Sequence, residues 1–281
     1  MRLFARAPGK VNLCLYVGTP REDGLHPLVS VVQALSLADE LTLEPGPGGA
    51  DEVVCPGVES PNLAGRALAL FREATGWDAP PQRLTIDKRV PVAAGMGGGS
   101  SDAAAALRLA AHAAGRPVPE ELAPRLGADV ASLLRPGRVL MTGAGEHVDR
   151  LADPGPLGVL VLPVDAALST PDVYREADRL GLTRSHTALA ELDARVRAAP
   201  EAAIHNDLQD AARSLCPAID AALDAAREAG ADHALVSGSG PTVAGVFLGA
   251  GGPGRARAAA GAWPRAFAAE PVGEAWAAVR G

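Results

Sequence analysis

The stretch "RLTIDKRVPVAAGMGGGSSDAAAALRLAAHAAG", residues 83–115, restricts the possible folds of this chain more than any other. Its first part, 83–90, alternates apolar and polar residues at period 2 and predicts a strand. Four glycines then fall within the five positions 95–99. The alanine- and leucine-rich segment that follows can hardly avoid being helix, and Gly115 is its expected end. Ser100 or Ser101 is the expected N-cap, with Asp102 in the first turn as a charge favoured there. A strand, a bare loop and a helix start form an anion cradle: unscreened N–H groups point inward and the positive helix end lies behind them, a setting suited to phosphate. No GK[ST] closes the loop, Ser100 breaks the GxGxxG pattern, and no acidic residue follows at the ribose-binding distance, so neither common nucleotide signature applies. By itself the loop reads equally well as a flexible turn before a helix. Two more glycine-rich turns, "TGAGE" (142–146) and "SGSGPT" (237–242), favour three walls around one polyanion.

At 281 residues the chain exceeds what one core usually holds, so two domains sharing a cleft are expected. Pro and Gly cluster in "ADPGPLG" (152–158), which divides the chain into 1–153 and 154–281. In the first part, "VNLCLYV" and "ELTLEP" read as strands around the loop "GTPREDGLH". A helix spans 62–76, with Asn62 as N-cap and Gly76 at its end. "PEELAPRLGADVASLL" predicts a short helix and "GRVLMTGAGEHVDRL" a hairpin. In the second part, "VLVLPV", "HALVSGSG" and "TVAGVFLG" predict strands, and helices are expected near 171–181, 187–199, 206–229 and 254–262. Interspersed strands and helices make each half α+β. Aromatic residues are only 3%, so Leu, Val and Ala must build the core.

The net charge of −7 and the lack of any Lys/Arg cluster argue against nucleic acid or an anionic membrane as partner, leaving a small molecule. Cys14, Cys55 and Cys216 show no CxxC spacing and read as reduced packing residues of a cytoplasmic protein, with neither a disulfide frame nor a zinc site. No signal peptide or membrane span is expected. Lysine is nearly absent: the 26 basic residues include only Lys10 and Lys88. A lysine that survives such a bias toward arginine is a candidate for work that needs a compact point charge, such as lying beside a phosphoryl group.

The loop "PVAAGMGGGSSDAAAA", preceded by "APGKVNLCL" and followed by "VSGSGPTVAGVF", resembles the signature of the GHMP kinases, and the resemblance spans essentially the whole chain. "KVNLCL", "REDGLHPL", "SPNLAGRAL", "IDKRVPVAAGMGGGSSDAA", "LGADV", "GAGE" and "HNDLQ" are similar to the branch that acts on a cytidine-diphosphate-linked methylerythritol. The resemblance implies a two-domain α+β fold, with a ribosomal-protein-like N-terminal half and a ferredoxin-like C-terminal α/β sandwich. It also implies transfer of the γ-phosphoryl of ATP to the substrate's 2-hydroxyl in non-mevalonate isoprenoid synthesis. A homoserine, mevalonate or sugar kinase, or a catalytically silent binding relative, is the alternative.

The same resemblance makes Asp129 the base and Lys10 the stabilising cation beside it. Asn62, Leu63 and Lys88 would form the adenine pocket, and Pro91, Gly95, Met96, Gly97, Gly98, Gly99, Ser100 and Ser101 the phosphate loop. Mg²⁺ would accompany ATP, with no metal site of the protein's own. Asn12 and His26 would read the cytosine edge, Thr170 and Tyr174 would form the far wall, and Gly238, Ser239 and Gly240 would complete the substrate site. A monomer or weak homodimer is expected. The chain departs from the family in three places. Leu25 stands where an aromatic usually completes a sandwich around the base, Met96 replaces the loop's usual leucine, and "GADVASLL" lacks the usual Pro-Phe after the aspartate.

Overall fold

Two long strands, β1 (Leu3–Val17) and β2 (Leu28–Pro45), run antiparallel from Leu3 opposite Leu43 to Val17 opposite Leu28. They are the spine of the computed structural model, which describes residues 1–58, 61–92, 94–262 and 265–281. Ser60 of "SPNLAGRAL" and Ala93 of the glycine loop lie outside these residues. Both strands are buried along most of their length, because helices cover one face of the sheet and the second half of the chain the other. Register shifts at Pro8–Lys10 and Asn12–Cys14 bracket two buried polar residues, Lys10 and Asn12, which stand two apart and so face the same side.

The remaining elements of the first half are β3 (Glu52–Val54), α1 (Leu63–Thr75), β4 (Gln82–Asp87), α2 (Gly98–Ala114), α3 (Leu122–Leu126), α4 (Ala128–Leu134), β5 (Arg138–Thr142) and β6 (His147–Arg150). The sheet order is β3-β4-β2-β1, with β5 on the free part of β2 and β6 outside it. Asn62 caps α1 by accepting from the Ala64 N–H, and Gly76 ends it in the left-handed region. The alanine face of α2, from Ala103 to Ala106, is fully buried against α1 and the sheet. Alanine is what allows the helix to approach so closely. The short helix expected after residue 119 is two helices, α3 and α4, separated at Gly127.

The second half contributes β7 (Leu157–Leu162), α5 (Thr170–Leu180), α6 (His186–Ala198), β8 (His205–Asn206), α7 (Gln209–Leu215), α8 (Ala218–Glu228), β9 (His233–Val236), β10 (Val243–Leu248), α9 (Gly252–Ala262) and β11 (Phe267–Ala269). β7, β9, β10 and β11 form an antiparallel sheet ordered β11-β7-β10-β9. The single helix expected over 206–229 is corrected to α7 and α8. Pro217 has no N–H to continue the ladder and its ring excludes the preceding turn, so Cys216 is extended between them. The start of that stretch is β8, which pairs parallel to β1 at Cys14–His205 and Leu15–Asn206. The chain returns to the first sheet again through the Leu35–Pro271 and Phe4–Arg280 bridges. Val11, Val29 and Leu35 share one core cluster with Val159, Val161 and Leu235, so the two sheets are packed on common apolar ground.

Candidate active site

α2 starts three or four residues earlier than its serines suggest. Gly97 occupies the N-cap position with φ +65 and offers no side chain to the first turn. Ser100 therefore lies inside the helix, and Ser101 is fully buried, its Oγ without a partner among the described residues. A side-chain cap would have consumed the N–H groups that a glycine leaves free for an anion. Gly95, at φ +73, is needed for a second reason: a Cβ there would stand 2.5 Å from the Gly240 carbonyl oxygen. Two of the three glycine turns thus touch backbone to backbone.

Two cavities meet at this loop, sharing Gly95, Gly97 and Ser100 as a common wall. The first, about 350 Å³, is lined by Asn62, Leu63, Lys88, Pro91, Met96, Gly98 and Gly99, together with Cys55, Val58 and Asp102. The second, about 360 Å³, holds Lys10, Asn12, Asp129, Thr170, Tyr174, Gly238 and Ser239, with Ser30, Ala144 and Gly145. All three glycine turns found in the sequence reach this second cavity.

Lys10 extends from β1 with its side chain only 6% exposed, and its Nζ lies 3.8 Å from Asp129 Oδ2. Asp129 sits in the first turn of α4, half-exposed to the cavity. Lys10 also donates to Asn12 Oδ1 at 2.7 Å, and Asn12 Nδ2 donates to Ser30 Oγ at 2.8 Å. Ser30 donates in turn to the Cys14 carbonyl, so the chain of donors fixes which way the amide faces. Asn12, expected at the cytosine edge, lines this cavity, and its amide holds the lysine. Gly97 makes room for this arrangement, since a Cβ there would meet Lys10 Cγ at 3.1 Å.

The outer wall is less closely assembled. Thr170 Oγ1 lies 2.9 Å from Ser239 Oγ, joining the start of α5 to the "SGSGPT" turn. Burial, with a smaller contribution from the Asp129 charge, pushes the Tyr174 phenol up to about 12, so it stays a neutral donor. His26 and Leu25 line neither cavity. His26 Nε2 is 2.9 Å from Asp178 Oδ1 and its ring lies 5.0 Å from that of Tyr174, tilted by 51°. Leu25 is 53% exposed. Gly240 also lies off both cavities, behind Gly95.

Lys88 lines the first cavity, but its ammonium is committed. It donates to Asp39 Oδ2 at 2.5 Å and Asp102 Oδ2 at 2.8 Å. Asp39 also accepts the N–H groups of Arg89 and Val90, anchoring the chain where it enters the loop. Burial opposes the charge on Lys88, but the two carboxylates carry its pKa above the ordinary value. Asp102, read from sequence as a first-turn charge at the helix N-terminus, lies beyond that turn and is buried. Burial and then the neighbouring Asp39 charge push its carboxyl up to about 7. The scarcity of lysine drew attention to Lys88, but nothing in "SLADEL" marks Asp39 as its partner. Ser30 was missed for the same reason, since its role depends on the strand opposite.

Residues 62–135 match the GHMP kinases N terminal domain, and residues 188–269 match GHMP kinases C terminal. A 4-diphosphocytidyl-2-C-methyl-D-erythritol kinase of Kineococcus radiotolerans is 44% identical over 262 residues, covering 85% of this chain and 80% of the relative. A crystal structure of 4-(cytidine 5'-diphospho)-2C-methyl-D-erythritol kinase, 36% identical, superposes with a TM-score of 0.78 over 96% of this chain and 100% of the other. The homoserine kinase of Cytophaga hutchinsonii superposes at 0.69 over 100% of this chain and 97% of its own, but at 17% identity it speaks for the fold alone.

Proposed function

The chain belongs to the GHMP kinase family, and from that premise we propose that it transfers the γ-phosphoryl of ATP to the 2-hydroxyl of 4-diphosphocytidyl-2-C-methyl-D-erythritol, a step of non-mevalonate isoprenoid synthesis. The observation that carries this reading is the shared wall: a nucleotide-sized cavity and an acceptor cavity meet across Gly95, Gly97 and Ser100, with Lys10 and Asp129 on the acceptor side. ATP occupies the first cavity, with its base between Asn62, Leu63 and Lys88 and its triphosphate across the open N–H groups at the start of α2.

Phosphoryl transfer asks little covalent work of a protein, so positioning and charge stabilisation dominate. Asp129 accepts the proton of the attacking hydroxyl. Lys10, held by Asn12, offsets negative charge on the nucleophile and on the phosphoryl group in flight. Thr170, Tyr174, Gly238 and Ser239 line the route of the substrate's diphosphate, and Leu25 and His26 stand at the outer rim where the cytosine would emerge.

Mg²⁺ comes with the triphosphate. Ser100 and Asp129 are hard oxygen donors within reach of the shared wall and fit such an ion. ATP as donor and three unpaired cysteines support a cytoplasmic setting, and one chain carries both cavities, which supports a functional monomer. No helix among the described residues is long and apolar enough to cross a membrane.

The test is steady-state phosphorylation of the cytidine-diphosphate alcohol beside homoserine and mevalonate, by wild type and Asp129→Ala. Turnover of the cytidine compound alone is expected, with Asp129→Ala inactive yet still binding ATP. Normal turnover by that variant would remove Asp129 as the base.

A further inference from the structure

Arg108, on α2, is a half-buried arginine that forms no ion pair among the described residues. Its Nη2 donates to the Arg6 carbonyl at 2.7 Å and its Nη1 to the Leu133 carbonyl at 3.3 Å, while Nε is enclosed without a partner. Burial, only partly opposed by the Glu274 charge, pushes the guanidinium down to about 10. Enclosing an arginine without a carboxylate is costly, and an apolar side chain of similar size would fill the same space without that cost.

The two carbonyls belong to the elements that hold the reactive pair. Arg6 precedes Lys10 by four residues on β1, and Leu133 follows Asp129 by four on α4. α2 itself begins at the anion-binding turn. The link continues through side chains: Leu133 Cδ1 would lie 3.5 Å from a Cβ on Gly97, and Lys10 Cγ would lie 3.1 Å from that same point. Leu133, whose carbonyl Arg108 holds, therefore packs where the helix start and the lysine meet.

We propose that Arg108 is a positioning residue for phosphoryl transfer, tying β1, α2 and α4 together so that Lys10, the open helix start and Asp129 keep one mutual geometry. It touches neither substrate. The inference rests on the kinase reading above and adds to it the residue that sets the spacing of its parts. Planarity explains the choice of arginine, because two separated N–H groups on one rigid fork fix the spacing of two carbonyls more closely than the donors of a lysine ammonium, which diverge from one nitrogen on a flexible stem.

The experiment compares full-length wild type, Arg108→Met and Arg108→Lys in steady-state kinetics with ATP and the cytidine-diphosphate alcohol. ATP affinity by calorimetry and unfolding by urea complete the comparison. Arg108→Met should stay folded and lose about 10- to 100-fold in kcat, with both KM values and the ATP Kd within about threefold of wild type. Arg108→Lys should recover most of this, to within about fivefold of the wild-type kcat. A folded Arg108→Met with kcat within about twofold of wild type, or an Arg108→Lys no better than it, overturns the proposal. If Arg108→Met does not fold, Arg108→Lys decides: a kcat lowered about two- to fivefold at unchanged KM supports the proposal, and wild-type kinetics refutes it. Failure of the wild type itself to phosphorylate this alcohol would count against the kinase assignment instead, and the variants would then be compared on whichever alcohol it accepts.

Discussion

Lys10 and Lys88 flank the same glycine loop, yet their surroundings are opposite. Lys10 faces one half-exposed carboxylate at 3.8 Å and a neutral amide at 2.7 Å. Lys88 is clamped between two buried carboxylates at 2.5 and 2.8 Å. The first ammonium keeps attraction to spare for charge that appears during a reaction; the second has its charge already balanced, and helps the loop keep its shape. The glycines of the loop have no side chains to hold it, so the buried Ala94 and Met96 within it and the ties at Lys88 and Asp102 on either side do that work. Being the only two lysines marks both as special, but it does not separate a reactive lysine from a structural one.

The contrast would break most clearly at Lys10. Lys10→Ala should cut kcat by about 100- to 1000-fold, as loss of a stabilising group at developing charge does, while unfolding stability changes little. Lys88→Met should do the reverse. It leaves Asp39 and Asp102 facing each other in the interior, at a cost of roughly 3–5 kcal/mol in urea unfolding. Equal rate losses at similar stability would show that the two sites do not differ as described.

A smaller effect concerns pH. The Asp102 carboxyl is raised in the folded state from the ordinary carboxylate range to about 7, so between these values the folded chain binds more protons than the unfolded one. Stability contributed through Asp102 therefore falls as pH rises through this window and is lowest above it. Asp102→Asn removes the titration, and unfolding at pH 5 and pH 8 should differ less in the variant than in wild type. An unchanged difference would place the titration elsewhere.

The smallest expected effect lies at the rim, where Leu25→Tyr would supply a second ring opposite Tyr174. A gain of about 1 kcal/mol, read as a several-fold lower KM for the cytidine compound at unchanged KM for ATP, is the expected outcome.

Much of the fold was legible because local rules govern it. Asn62 and Gly76 bound α1 as read, since a cap and a left-handed terminus depend only on the residues that make them. The same rules misplaced the start of α2, because the serines that usually cap a helix stand inside one whose N–H groups are kept open by Gly97. β8 was invisible: two residues have no period, and only β1 beside them makes them a strand. The site divides in the same way. Gly95, Ser100, Lys10 and Asp129 stand out by type and motif, whereas Asp39, Ser30 and Arg108 matter through partners far away in the chain. Asn12 and His26 were noticed by motif, but their hydrogen-bond partners, Lys10 and Ser30 for the one and Asp178 for the other, were not legible.

The sequence by itself determined where backbone must be bare, where helix must follow and which few side chains carry charge suited to a phosphoryl group, because these depend on neighbours within a turn or two. Only the tertiary structure decided which carboxylate meets which lysine, since Coulomb attraction and desolvation depend on distance and burial, and residues far apart in the chain set both.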